Sequence, residues 1–388
     1  MTQMTQFTLI ATAAFGLESL VANELKTLGY TDLKVINGKV VFSGDELAIC
    51  RANLWLRQAE RVFVQIGQFT ARTFDELFEQ TKALPWEEWL PVDACFPVQG
   101  KSVKSTLFSV SDCQAIVKKA IVERLKGKYQ QNWFEENGPI YPVEVALLKD
   151  EVTLSLDTSG IGLHKRGYRK LVSKAPVRET LAAAMLSLSR WKAERVLIDP
   201  FCGSGTIPIE AALIGLNIAP GLKRNFTAEK WSNFSPKHWQ EARIEAEDLI
   251  RRDVKLEIEG YDLDKEVLSL ARYHAREAGV EKHIHFQERP FADLSSKKKY
   301  GYIICNPPYG ERLEDKRSVE RLYKQMGQVL QKLDTWSYYV LTASGDFEQL
   351  FGRHANKNRK LYNGMIKCYY YQFFGSRPPR PLATGKIN

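Results

Sequence analysis

The sequence predicts an α+β front half followed by a doubly wound α/β domain with a mostly parallel sheet. Two observations carry this prediction. From about Leu188 onward, short apolar runs alternate with glycine-containing turns and helical stretches, which is typical of parallel βαβ units. In the first 160 residues, short strands and helices alternate in the manner of small α+β units. The chain has 388 residues, enough for two or three domains with ordinary cores.

Apolar periodicity predicts two small units in the front half. The first contains strands at 7–11 and 39–42 and helices at 17–28 and about 46–55. The second contains strands at 61–69, about 95–100, 143–148 and 151–157 and helices at 74–84 and 111–129. Lys149 and Asp150 separate two alternating apolar runs, which predicts a hairpin turn.

Six apolar runs are candidate strands of the second half. They lie at 195–199, 256–262, 283–287, 300–306, 336–343 and 365–374. Their spacing leaves room for a helix between most successive strands, as a doubly wound sheet requires.

The charge of the chain is unevenly distributed. The net charge is +9, but residues 1–160 carry 16 Lys and Arg against 20 Asp and Glu, which leaves +13 for residues 161–388. Residues 164–178 alone hold six Lys or Arg. Because phosphate contacts supply much of nucleic-acid affinity, we expect a polyanionic partner held mainly by the second half. The alternative is a solvated basic face.

Composition argues against several classes of protein. The apolar runs are far shorter than the roughly 20 residues of a membrane helix, and the N-terminus shows no basic segment followed by an apolar core. The six cysteines are scattered without a C-x-x-C pair, which argues against a zinc ribbon or a disulfide framework. We expect an untargeted cytoplasmic protein without a metal.

A glycine turn follows the first strand of the α/β domain and precedes an apolar helix. It consists of Asp199, Pro200, Phe201, Cys202, Gly203, Ser204, Gly205 and Thr206. Glycines at the carboxyl end of such a strand let the backbone approach a ligand closely. The third position of a dinucleotide fingerprint is Pro208, and no P-loop pattern is present. An adenosyl ligand without phosphates therefore fits better than NAD or ATP.

An acidic pair ends the next strand. Asp262 is placed to accept hydrogen bonds from both hydroxyls of a ribose. The competing interpretation is that Asp262 or Asp264 caps the helix beginning at Lys265. Both roles are compatible, with Asp264 as the cap.

The motif Asn306, Pro307, Pro308 and Tyr309 follows another strand directly. An exocyclic amino group on a purine is a poor nucleophile because its lone pair is delocalised into the ring. Acceptance of its two N–H bonds by the Asn306 side chain and the Pro307 carbonyl would direct the lone pair at a bound methyl sulfonium. The prolines hold these acceptors, and Tyr309 offers a ring for stacking.

With these motifs the chain resembles the THUMP-domain RNA methyltransferases, and within them the bacterial 23S rRNA guanine-N2 methyltransferases often labelled N6-adenine DNA methylases. The resemblance implies a ferredoxin-like module at 1–60, a THUMP domain at 61–160 and a linker with a class I, Rossmann-like methyltransferase domain at 161–388. It also implies S-adenosyl-L-methionine (AdoMet) as methyl donor and RNA, 23S rRNA in particular, as partner.

The resemblance assigns AdoMet binding to the glycine turn and to Asp262 with Leu263. Class I enzymes often carry an acid after the third strand that contacts the adenine amino group, but here Arg289 and Pro290 occupy that place. The contact is expected from Asp293 or from the backbone near Phe291 and Ala292.

The basic segment at 164–178, called the junction below, also resembles the family, in the stretches 163–170 and 175–184. We expect Lys165, Arg166 and Arg169 to bind RNA phosphates and Tyr168 to stack on a base. The alternative is an interdomain linker with solvated charges.

Other chemically active side chains receive structural roles. Cys305 lies in an apolar strand and is expected to be a buried thiol rather than a nucleophile. Trp86 and Trp89 are expected in core or interdomain packing, and His274 on the surface.

The N-P-P-Y motif is shared with N6-adenine and glutamine methyltransferases, so it indicates the reaction better than the substrate. N6-adenine methylation of DNA or RNA and guanine-N2 methylation of tRNA remain alternatives. A non-catalytic RNA-binding assembly factor with a vestigial methyltransferase fold is the alternative from another class.

Overall fold

The computed structural model describes residues 6–171, 177–309 and 313–379. The chain divides into two compact units. The first runs to Arg166 and also includes Ala219–Leu249, and the second comprises Gly167–Ile218 and the chain from Ile250 onward. In the described parts of the chain, no helix is long and apolar enough to cross a membrane.

The first unit is built on one seven-stranded sheet with the order β2-β3-β1-β4-β7-β6-β5. Its elements up to the junction are β1 (Phe7–Ala13), α1 (Glu18–Thr27), β2 (Leu33–Ile36), β3 (Lys39–Gly44), α2 (Glu46–Trp55), β4 (Ala59–Thr70), α3 (Phe74–Ala83), β5 (Val98–Val103), α4 (Val110–Tyr129), β6 (Val143–Leu148) and β7 (Glu151–Asp157). The predicted hairpin turn is confirmed, because Lys149 and Asp150 both have positive φ between β6 and β7.

The long strand β4 joins the two predicted α+β units. It pairs with β1 on one side and with β7 on the other, so the sheet is continuous across the predicted boundary at residues 60 and 61. That boundary stays a prediction, and it falls inside a hydrogen-bonded strand.

The remaining elements follow the junction in chain order. They are α5 (Glu179–Ser189), β8 (Leu197–Asp199), α6 (Thr206–Gly215), α7 (Pro236–Asp248), β9 (Ile258–Asp262), α8 (Lys265–Ala278), β10 (Ile284–Glu288), β11 (Tyr302–Cys305), α9 (Leu313–Leu330), β12 (Ser337–Thr342), α10 (Phe347–Phe351), β13 (Lys357–Asn363) and β14 (Ile366–Phe373). All belong to the second unit except α7, which lies in the segment 219–249.

The sheet of the second unit confirms the predicted doubly wound fold. Its strand order is β10-β9-β8-β11-β12-β14-β13. The strands from β10 to β12 run parallel, and β14 is antiparallel to both of its neighbours. From β8 the chain adds strands first in one direction and then, from β11, in the other. In such folds ligands bind at this switch point, outside the carboxyl ends of the strands.

Residues 219–249 contribute to the core of the first unit although they follow α6 in sequence. The Trp231 ring stacks on Tyr141 with centroids 4.8 Å apart, and its indole N–H donates to the Ile140 carbonyl at 2.9 Å. Ion pairs add to this packing, such as Arg51 with Glu245 at 2.6 Å. The aromatic residues of the segment that join this core are Phe226, Trp231, Phe234 and Trp239.

A fragment that ends at Arg166 is therefore expected to fold poorly, because its core loses four aromatic side chains supplied by 219–249. Urea unfolding followed by near-ultraviolet circular dichroism measures this directly. We expect no cooperative transition for the fragment and a clear one for the full chain. A fragment that unfolds cooperatively at the midpoint of the full chain would contradict this.

Candidate active site

The carboxyl ends of β8, β9, β10 and β11 surround a cavity of about 890 Å³. Its wall combines loop residues after these strands with one face of α9. The lining residues are Pro200, Phe201, Asp262, Leu263, Arg289, Pro290, Phe291, Ala292, Asn306, Pro308, Ser318, Arg321, Leu322, Lys324, Gln325 and Gln328. The glycine turn, the predicted ribose ligand Asp262 and the N-P-P-Y motif were identified separately in the sequence, and members of all three line this one cavity.

The glycine turn begins at Asp199, whose buried carboxyl accepts a hydrogen bond from the Phe201 N–H at 3.1 Å. Burial, together with the nearby charge of Asp262, raises the pKa of Asp199 well above its usual range. Its role in this geometry is to shape the turn. Cys202 is also buried, and its N–H donates to the Tyr261 carbonyl at 2.9 Å.

The two glycines of the turn have different surroundings. Both have positive φ, 51° at Gly203 and 85° at Gly205. A Cβ at Gly203 would meet nothing within 4 Å, so the backbone there is open to a ligand. A Cβ at Gly205 would lie 3.1 Å from Ala271 and from Phe286, so this glycine permits close packing of the turn. Ser204 and Thr206 are buried beside them.

The two acids at the end of β9 have different surroundings. Asp264 is the N-cap of α8, accepting from the N–H groups of Glu266 at 2.9 Å and Val267 at 3.3 Å. Asp262 lines the cavity and accepts from the Gly203 N–H at 3.0 Å. The Asp262 carboxylate is therefore fixed at the glycine turn, as a ribose ligand would be.

The loop after β10 supplies apolar wall rather than an acid. Phe291 stacks on Phe201 with ring centroids 5.1 Å apart, and Ala292 lies beside it in the wall. Asp293 is exposed, is not among the lining residues, and offers its carbonyl to the Arg289 guanidinium. Two sources were expected for the contact with the adenine amino group, namely Asp293 and the backbone near Phe291 and Ala292. Only the second of these lies in the described cavity wall.

The N-P-P-Y loop presents a buried hydrogen-bond acceptor to the cavity. The Asn306 side-chain oxygen is buried and, within the residues that the structure describes, makes no hydrogen bond. Asn306 nevertheless forms part of the cavity wall. A buried unpaired carbonyl is costly, so such a group commonly marks a place where a ligand completes the bonding. The rest of the family motif, at 310–312, lies outside the described residues.

Helix α9 holds this loop in place, a contact that the sequence motifs did not predict. The Tyr323 hydroxyl donates to the Pro308 carbonyl at 3.2 Å and lies 2.8 Å from the Thr342 hydroxyl. Burial raises the pKa of Tyr323 to about 12, so the hydroxyl remains a donor. The amphipathic pattern of α9 was the sequence signal that could have predicted this contact. One face of the helix packs on the core, and the neighbouring face lines the cavity.

Cys305 is fully buried in β11, as predicted, and burial raises the pKa of its thiol well above the usual range. A thiol held in its protonated form is a poor nucleophile. Trp86 is also fully buried and Trp89 packs against the same core, which confirms their structural role.

The prediction for His274 was wrong. This residue of α8 is fully buried, and its Nδ1 lies 3.2 Å from the Ser204 carbonyl of the glycine turn. The sequence showed a polar helical stretch, but α8 turns this position toward the turn. His274 therefore supports the loop that we assign to ligand binding.

Burial lowers the pKa of His274 below the ordinary value of 6.5. Below pH 6.5 the unfolded chain takes up a proton that the folded chain excludes, so this site costs stability as the pH falls. We expect a His274→Gln variant to lose part of the decrease in the free energy of unfolding between pH 8 and pH 5.5. Urea titrations of both proteins measure it, and identical pH dependence would contradict it.

The structure corrects the expected RNA contacts at the junction. The buried Arg166 guanidinium donates to the carbonyls of Leu163 at 2.6 Å and Arg57 at 2.5 Å. Tyr168 is 3% exposed and donates to the Glu210 carboxylate at 3.2 Å. Because both side chains are buried and hydrogen-bonded inside the protein, neither can contact RNA from these positions. The basic run in the sequence did not reveal these partners, because they are distant along the chain.

The other two residues of this group, Arg169 and Lys165, differ in exposure. Arg169 pairs with Glu179 at 3.4 Å and keeps only 13% of its side-chain surface exposed. Lys165 is exposed, so its contact with an RNA phosphate stays a prediction. Part of the predicted junction helix is α5, and residues 172–176 lie outside the described residues.

Family models match three segments of the chain. They are an RlmL ferredoxin-like domain at residues 8–63, a THUMP domain at 71–157 and an RMKL-like methyltransferase domain at 166–372. The matched segments follow the predicted order of domains.

Two curated relatives resemble the chain over nearly its whole length. YpsC of Bacillus subtilis (strain 168), named provisionally as an RNA methyltransferase, is 53% identical over 98% of this chain and 99% of its own. The ribosomal RNA large subunit methyltransferase K/L of Syntrophotalea carbinolica (strain DSM 2380 / NBRC 103641 / GraBd1) is 34% identical over 97% of this chain. The match spans only 56% of that longer relative.

Solved structures are similar as well. A predicted N6-adenine-specific DNA methylase from Listeria monocytogenes str. 4b F2365 is 54% identical with a TM-score of 0.92, over 96% of this chain and 97% of that one. SMU.472, a candidate methyltransferase crystallised with SAH, is 45% identical with a TM-score of 0.91, over 96% and 99%. With its cavity at the switch point of a doubly wound sheet, the chain belongs to the family of RMKL-like methyltransferases that carry ferredoxin-like and THUMP domains.

Proposed function

We propose that this protein transfers the methyl group of AdoMet to an exocyclic amino nitrogen of RNA, namely guanine N2 in 23S rRNA. The observation that carries the proposal is the buried Asn306 oxygen of the cavity wall, which has no hydrogen-bond partner among the residues that the structure describes. The names of the two curated relatives, the large-subunit rRNA methyltransferase in particular, support RNA as the acceptor.

The residues of the cavity fit AdoMet, which would supply an electrophilic methyl group on sulfur. Gly203 leaves its backbone open to a ligand, and Asp262 presents a carboxylate at the same turn. The stacked rings of Phe201 and Phe291 give an apolar wall for the adenine. Leu263, which is 67% exposed although apolar, lines the same cavity and would be covered by a ligand.

The acceptor nitrogen would be held by Asn306 and Pro307. With its two N–H bonds donated to the Asn306 side chain and the Pro307 carbonyl, the nitrogen lone pair is free to form the new N–C bond as the S–C bond breaks. AdoMet, once bound, would supply the methyl group and keep the electron pair of the broken S–C bond on its sulfur, and the amino nitrogen would release its extra proton to water. Tyr309, half-buried after the prolines, would stack on the extruded base.

Tritiated methyl transfer tests the proposal. The acceptors are rRNA from a strain lacking this protein, rRNA from the parent strain, bulk tRNA and duplex DNA. We expect incorporation only into the rRNA from the deletion strain, recovered after digestion as N2-methylguanosine. Recovery of N6-methyladenosine, or labelling of tRNA or DNA instead, would replace the proposed substrate by one of the alternatives.

A non-catalytic assembly factor is the competing class of function. Calorimetry with AdoMet separates it from the enzyme, because a vestigial site has no reason to retain affinity for the methyl donor. Absence of binding together with absence of transfer would favour the assembly factor. The open space at Gly203, where a Cβ would meet nothing within 4 Å, favours the enzyme.

A further inference from the structure

The hairpin of β13 and β14 has its turn at the carboxyl ends of the parallel strands, where Asn306 also lies. Its strands are joined by the two-residue turn Gly364 and Met365, with Gly364 at φ 64°. Because β14 is antiparallel to both β12 and β13, β13 runs parallel to β12 and β11. The turn therefore follows a carboxyl end of the sheet, as Asn306 does after β11.

The surface of this hairpin is basic. Residues 357–367 contain four Lys or Arg and no Asp or Glu. The first four residues of β13, 357–360, are all exposed. At the turn, Met365 is 97% exposed, which leaves a large apolar side chain wholly in solvent. A solvated edge strand explains the charges, but an edge needs no exposed methionine at its tip.

Two lysines and two tyrosines alternate on one face of the hairpin. Lys360 lies opposite Tyr369, and Tyr362 lies opposite Lys367. The Lys360 ammonium is 6.0 Å from the Tyr362 ring centroid, and the Lys367 ammonium is 4.9 Å from that of Tyr369. The lysines are exposed and the tyrosines half-buried. Cations interleaved with aromatic rings are suited to a strand of nucleic acid with phosphates and unstacked bases.

We infer that this hairpin binds the unpaired RNA that flanks the target nucleotide, with Lys360 and Lys367 on phosphates and Tyr362 and Met365 against bases. Three strand spacings separate β11 from β13, roughly 14 Å at the usual interval. A short stretch of single-stranded RNA spans that distance. The inference rests on RNA as the proposed substrate, but it concerns binding and can be tested apart from methyl transfer.

Binding of the full chain to a fluorescein-labelled, unstructured RNA of 20 nucleotides tests the hairpin across a series of salt concentrations. The variants are Lys360→Gln with Lys367→Gln, and Tyr362→Leu. The matched control is Lys297→Gln with Lys299→Gln, two exposed lysines before the amino end of β11. Each protein is also titrated with AdoMet and unfolded in urea.

We expect the paired hairpin variant to bind RNA about tenfold more weakly and to lower the salt slope by about 1.4, the value for two single-strand phosphate contacts. Tyr362→Leu should weaken binding about fivefold without changing the slope, since stacking carries no counterion release. The control should match the wild type, and all the proteins should keep their AdoMet affinity and stability.

Unchanged RNA binding in the paired variant, or an equal loss in the control, would overturn the inference. Duplex DNA of 20 base pairs that binds as tightly and loses as much would also overturn it, because the surface would then not select RNA. If the hairpin variants behave as expected while the wild type methylates no rRNA, the proposed function fails and the hairpin remains an RNA-binding surface.

Discussion

Replacement of Asn306 by alanine is expected to lower the rate of methyl transfer by about 100- to 1000-fold without weakening AdoMet binding. The Asn306 oxygen is the acceptor proposed to prepare the amino nitrogen, and Asn306 is not part of the glycine turn or the ribose site. Single-turnover rates with saturating AdoMet measure the effect, and calorimetry measures the affinity.

Stability should respond in the opposite direction. The Asn306 oxygen is buried without a partner among the described residues, and such a group costs about 1–3 kcal/mol of desolvation. The alanine variant should therefore be as stable as the wild type or more so. Loss of activity with retained stability separates a role in the reaction from a structural one.

The matched comparison is Tyr323→Phe. This variant removes the hydrogen bond to the Pro308 carbonyl and so loosens the loop without touching the acceptor itself. We expect roughly 1 kcal/mol of lost stability and a smaller loss of rate, about tenfold. An Asn306→Ala enzyme that remains as active as the wild type would contradict the proposed mechanism.

Replacement of Asp262 by alanine is expected to weaken AdoMet binding by about 10- to 100-fold. The carboxylate is held beside the glycine turn by the Gly203 N–H at 3.0 Å and lines the cavity, where it can accept from ribose hydroxyls. Calorimetry with AdoMet and with S-adenosylhomocysteine should show the same loss, because both carry the ribose.

Asp264→Ala is the control for this measurement. Asp264 caps α8 through the N–H groups of Glu266 and Val267, so its loss should cost about 1 kcal/mol of stability. Its AdoMet affinity should stay within about twofold of the wild type, since the Asp264 carboxylate binds the N–H groups of α8 and is not among the residues that line the cavity. Equal losses of affinity in the two variants would show that the acids act only through the helix.

Much of the second unit was predictable because its signals are local. Each chemical motif directly follows an apolar strand, and parallel strands bring their carboxyl ends to one edge of a sheet. The strands missed were β2 and β13, each of which is one of the two outer strands of its sheet. The strand prediction depended on apolar alternation. Because β13 is an outer strand that buries few side chains, it is mostly polar and lacks that pattern.

The junction shows where local signals fail. Arg166 and Tyr168 belong to a basic, aromatic stretch that favours RNA contact, yet their partners are Arg57 and Glu210. His274 was misplaced for the same reason, since burial beside Ser204 depends on how α8 packs. Side-chain partners 40 to 110 positions away leave no trace in the spacing of nearby residues.

The fold class and the three motifs could be predicted from the amino-acid sequence, because they depend on periodicity and on residues that are neighbours along the chain. Three features became visible only in the folded chain: which charged side chains pair internally, the contribution of residues 219–249 to the core of the first unit, and the buried Asn306 oxygen that has no partner within the described ranges. Burial and pairing are properties of residues brought together by folding, so they follow from packing rather than from sequence spacing.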